Sequence, residues 1–189
     1  MFAPALIAFA PNDLAPDGVT LRAAASANPP PHLHTEIIDD WSRLLRLRRE
    51  WDRLWRAVPK ARVGQSFEWA QACWELALSP RGAKLCCVAV WEGELLKLLW
   101  PLAAARQGAW RVARPLNSQT SEYSSILAEP LMLEKAVPLA LVALTRSGLI
   151  DALMLPDVRS DEPLAEVLSN LGFPVVRSQS APLVRQALF

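Results

Sequence analysis

From Asp39 to Val58 apolar residues recur at three- and four-residue steps, at Trp41, Leu44, Leu45, Trp51, Leu54, Trp55 and Val58, which predicts a helix with one buried face. Asp39 and Asp40 stand at its start, where negative charge and a side-chain acceptor favour the exposed N–H groups. A second helix is expected to follow Ser66, whose hydroxyl can cap it. Phe67, Ala70, Trp74 and Ala77 would line its inner face, and Pro80 would stop it.

Beyond Pro80 the period changes. Lys84 to Trp91 is a near-continuous apolar run, Glu92-Gly93 offers a turn, and Glu94 to Leu102 is again apolar; together they predict a buried hairpin. Trp110 to Leu116 alternates in period two and gives a third strand, and Ser124 to Ala128 a short fourth. A helix is expected from Leu131 to Arg146 with Pro138 inside it. A strand at Leu149 to Leu155, a helix from Glu162 to Leu171 ended by Gly172, and a strand at Phe173 to Arg177 complete the order. This is an α/β (α+β) chain with a mixed, mainly antiparallel sheet flanked by helices. Six of the 16 prolines fall in the first 31 residues, so residues 1–35 read as a flexible Pro-rich arm and residues 36–189 as the folded domain.

Composition narrows the classes of function. Of 189 residues, 52% are hydrophobic and 21% charged, which excludes a disordered chain. A net charge of +1 gives no global attraction to nucleic acid. The apolar opening Met1 to Ala10 lacks a basic start, and the uncharged run Ala136 to Leu144 is about half of the ~20 residues that a membrane span needs, so a cytoplasmic chain without a transmembrane segment is expected. Cys73, Cys86 and Cys87 are odd in number and lack a framework of spacings, which points to reduced thiols; in a strand the last two would face opposite sides.

Few residues carry chemistry. His32 and His34 lie in the proline-rich arm without a third ligand, and no Cys/His cluster has zinc spacing, so no metal is expected. The serine-rich loop Ser118 to Ser125 lacks the Gly-x-Ser-x-Gly elbow and a nearby histidine base, and reads as turn chemistry. Within it stand Glu122 and Tyr123, the only tyrosine, with Asn117 just before; they are substrate-contact candidates, or parts of a capped loop. Of the eight tryptophans, Trp41, Trp51, Trp55 and Trp74 fall on core faces, whereas Trp69 lies off its helix stripe and is a further substrate-cleft candidate as an exposed or interface aromatic, or else one more core ring. Eight basic residues between positions 43 and 62 form either a phosphate- or membrane-facing patch or a solvated helix face.

The order of two helices, an antiparallel meander, then helix, strand, helix and strand resembles the GNAT acyltransferase superfamily. The strings Gln65 to Trp74 (QSFEWAQACW), Leu99 to Leu127 and Ile150 to Val158 (IDALMLPDV) resemble the amino-terminal half of its CelD/BcsL, cellulose-biosynthesis-associated members. That resemblance implies two GNAT-like halves, the second holding acetyl-CoA or another acyl-CoA, and acyl transfer to an amine or hydroxyl in polysaccharide or envelope biosynthesis. It also implies that the stretch with Asn117, Glu122 and Tyr123 faces the cleft between halves. The chain ends about where a second half would begin, so the expected partner is that half or a second copy of this chain, met by an apolar surface that includes the segment Ala181 to Phe189. A GNAT acyl-CoA site needs a glycine-containing loop after the fourth strand to aim N–H groups at the pyrophosphate. Here Leu127 to Glu134 reads LAEPLMLE, without glycine and with Glu129 and Pro130, so no cofactor is expected to bind this chain. The alternative reading is a non-catalytic interaction domain that keeps the fold.

Overall fold

The computed structural model describes residues 5–8, 32–118, 126–156, 158 and 163–171. Along the chain run β1 (Ala5–Ala8), β2 (Leu33–Ile38), α1 (Trp41–Arg46), α2 (Arg48–Ala57), α3 (Phe67–Cys73), β3 (Lys84–Leu85), β4 (Cys87–Glu92), β5 (Leu95–Trp100), β6 (Leu102–Gln107), β7 (Trp110–Pro115), β8 (Leu127–Ala128), α4 (Leu133–Ser147), β9 (Ala152–Leu155) and α5 (Pro163–Asn170). The fold is mixed α/β and mainly antiparallel: among the described residues only β7 and β9 pair in parallel.

Two sheets, ordered β1-β9-β7-β6-β3 and β2-β4-β5-β8, are joined by a long bent hairpin. Lys84 faces Ala104, and Val88 faces Trp100 in the same register, with the Cys86 N–H donating to the Leu102 carbonyl between them. Pro101, which has no N–H to donate, sits at the bend. Gly93 and Gly108, both at positive φ, open the two-residue turns of the β4–β5 and β6–β7 hairpins.

Helices cover both faces. Cys86, Val88, Leu98 and Trp100 point into a core roofed by α4 and α5, whereas Cys87, Ala89, Leu99 and Leu127 point into a second core under α1, α2 and α3. The adjacent cysteines thus face opposite ways, as strand alternation requires. Both thiols are sealed: burial drives Cys86 well above the usual thiol range and Cys87 up to about 12, so neither is a nucleophile near neutral pH.

The caps expected from sequence are present. Asp40 accepts from the N–H groups of Ser42 (3.2 Å) and Arg43 (3.0 Å), and Ser66 Oγ accepts from that of Trp69 at 3.3 Å. Several expectations need correction. The single helix over 39–58 is two, divided at Leu47, where the apolar stripe lapses between Leu45 and Trp51 and the turn lets Leu47 itself be buried. The inner helix after Ser66 leaves α geometry at Trp74, continuing as a wide π turn to Leu78 before Pro80. The strand expected to end at Leu102 resumes after Pro101 as β6. The proposed arm contains two strand segments. Ala5–Ala8, between Pro4 and Pro11, pairs with β9, and β2 starts at Leu33 rather than after residue 35. The expected strand Phe173 to Arg177 and the segment Ala181 to Phe189 lie outside the described residues. Among the described residues no helix is long and apolar enough to cross a membrane.

Arg111 ties the start of β7 to the α4–β9 connection through Asp151, with Nη2 to Oδ1 at 2.7 Å and Nε to Oδ2 at 3.1 Å. The Arg111 hydrogen bonds lower the Asp151 carboxyl to about 2. A carboxyl depressed on folding stabilises above its unfolded value, roughly 3.9, and loses that contribution as pH falls through its folded value. Wild type should therefore be more stable than Asp151→Asn at neutral pH, and urea melts of the two should converge as pH falls toward 2.

Candidate functional site

The candidate site lies where β7 leaves the sheet. Leu102 faces Pro115 and Leu99 faces Leu127, so three steps along one strand match twelve along the other. The chain leaves β6 at the end of β7, makes an excursion, and returns as β8 against β5, the preceding segment of the bent hairpin. Glu122 and Tyr123 belong to this excursion and lie outside the described residues.

Both ends of the excursion are bound to one turn, Arg62 to Gln65. Asn117 Nδ2 donates to the Gly64 carbonyl at 2.9 Å at the departing end. Gln65 Nε2 donates to the Ile126 carbonyl at 3.1 Å at the returning end. The same Gln65 side chain accepts from the Arg62 N–H at 2.8 Å, which fixes its orientation. Two indoles of α2 hold the turn from below: Trp51 Nε1 donates to the Gln65 carbonyl at 2.8 Å, and Trp55 Nε1 to that of Arg62 at 3.0 Å. A crevice with room for about one water, 10 Å³, opens between Gly64, Gln65, Pro101, Asn117 and Leu127.

Asn117 is therefore in the site, 7% exposed, with its amide spent on a backbone carbonyl. Trp69 is half-buried on α3, which contributes Ala70 rather than Trp69 to the crevice. Gln65 was not legible as a site residue, since its acceptor lies sixty-one positions away. Of the eight basic side chains between 43 and 62, Arg43 pairs with Glu36, Arg48 with Glu68, and Arg53 donates to the Leu96 carbonyl. Arg46, Arg49, Arg56 and Lys60 are exposed.

The stretch after β8 is hydrogen-bonded from within. The Glu129 N–H donates to the Lys97 carbonyl at 3.1 Å and the Met132 N–H to the Glu129 carbonyl at 2.9 Å, while Pro130 has none. The Glu129 carboxylate takes Lys97 Nζ at 2.9 Å, with Glu92 on the same ammonium at 3.3 Å. The Glu129 hydrogen bond, ahead of the other causes, raises Lys97 above its ordinary range. A hollow of about 200 Å³ between the starts of α4 and α5 is lined by Glu134 and Glu166, charges that repel a phosphate. Among the described residues no cluster of His, Cys, Asp and Glu is suited to a metal ion. No family model, curated protein or solved structure matches this chain.

Proposed function

We propose that this chain is the amino-terminal half of a GNAT-type acyltransferase, a half that holds no acyl-CoA and works beside a second half that does. The pair would move an acyl group from acyl-CoA to an amine or hydroxyl acceptor, in polysaccharide or envelope biosynthesis. The observation that carries the division of labour is the Lys97–Glu129 pair: the position for pyrophosphate donors is filled by a carboxylate, and its neighbouring N–H groups are already bonded. The element order, with β7 and β9 parallel after an antiparallel meander, supports the resemblance on which the reading rests. The clamped excursion after β7 is the part of this half that would meet an acceptor or the second half.

A non-catalytic interaction domain is the second reading, favoured by the sealed thiols and by the narrowness of the crevice. The two part on the reading frame beyond Phe189. A downstream glycine-containing loop, and acyl transfer by the protein that includes it, is the result expected of the first; a frame without such a half leaves the second.

A further inference from the structure

Two arginines, Arg43 on α1 and Arg111 on β7, grip carboxylates with the same edge of the guanidinium. Arg43 holds Glu36 with Nε at 2.6 Å and Nη2 at 3.0 Å, and Arg111 holds Asp151 with Nε at 3.1 Å and Nη2 at 2.7 Å. This side-on fork matches the two oxygens of a carboxylate. Arg114 leaves the same edge empty. Its Nε is sealed from solvent, and no described residue accepts from it. Its cross-strand neighbour is Ala103, with Leu85 beyond, and Leu116 follows two positions along the chain; none of these side chains is an acceptor.

The position is equally specific. The parallel ladder between β7 and β9 ends at Ala113 and Leu153, while β9 continues to Leu155 on β1. Arg114 is thus the first residue of β7 past the last bridge, at the carboxyl ends of two parting parallel strands. In open sheets this is where ligands enter. It lies on the face of the second core, two and three positions before Leu116 and Asn117, which follow β7 and line the crevice. A buried N–H without an acceptor is costly in the folded chain unless a ligand completes it.

We propose that Arg114 is the anchor of a binding site for a small carboxylate, which would occupy the Nε/Nη2 fork as Glu36 and Asp151 do on the other two arginines. One cation with a side-on fork matches a planar monoanion better than a tetrahedral dianion. The inference stands whether or not the chain works beside an acyl-CoA half.

The test uses the full chain, labelled with nitrogen-15, and follows the arginine Nε–H resonances while acetate, succinate or inorganic phosphate is added at constant ionic strength. The Arg114 resonance should shift saturably with either carboxylate, roughly tenfold more weakly with phosphate, and not at all in Arg114→Lys, which keeps the charge without the fork. Arg43 and Arg111, whose forks are filled, should not respond. In anion-free buffer Arg114→Met, which keeps the apolar stem, should melt no lower than wild type, and succinate should stabilise only wild type. An equal response to phosphate would overturn the carboxylate assignment, and no saturable response would overturn the site. An Arg114→Met variant melting below wild type would show that an acceptor within the chain already holds Arg114, and would overturn it too.

Discussion

Replacing Trp51 by alanine should cost roughly 3–5 kcal/mol, the range for emptying a large aromatic from a core. Trp51 is 0% exposed, stands edge-on to the Phe67 ring at 5.5 Å between centroids, and is packed among Leu44, Leu47 and Leu54 in the core beneath α1 to α3. Its loss also strips the Gln65 carbonyl of the indole N–H at 2.8 Å. Urea denaturation should show a much lower midpoint with an unchanged slope. Trp51→Phe, which restores most of the volume but not the donor, should recover most of the loss. A loss below about 1 kcal/mol in the alanine variant would mean that the core under α2 is not built around this ring.

Gln65→Leu is the second large effect, about 2–4 kcal/mol, because it leaves two backbone groups without their partner while adding apolar volume at a polar turn. The Arg62 N–H and the Ile126 carbonyl both depend on this one amide. Ile126 is 8% exposed, so water cannot simply replace the missing donor. Since Trp51 and Gln65 are hydrogen-bonded, the double variant should lose less than the two single losses added together. Full additivity would mean that indole and turn act independently, and a Gln65→Leu protein as stable as wild type would dissolve the clamp.

What was legible in the chain was local. Asp40, Ser66 and Gly93 announce their cap and turn roles because the groups that they satisfy lie within a few residues. Opposite faces for Cys86 and Cys87 follow from strand alternation alone. What stayed hidden depends on distant partners. Ala103 and Ala104 carry no strand signal, and β6 exists because β3 and β7 flank it. Ala5–Ala8 becomes a strand only because β9, far along the chain, offers an edge. Asn117 stood out as a polar residue between strands, but its bond to Gly64, fifty-three positions earlier, makes it an anchor of the departing strand. Arg114 gave no signal at all, since an arginine alternating in a strand reads as one of many; only its sealed, empty Nε and the parting of β7 from β9 distinguish it.

The central claim is that this chain does not itself hold acyl-CoA, and calorimetric titration of the 189-residue protein with acetyl-CoA tests it most directly. The account predicts no saturable heat, because Glu129 repels the diphosphate and the Glu129 and Met132 N–H groups are already donated internally. Saturable one-to-one binding, weakened by substitutions between Glu129 and Leu133, would contradict it.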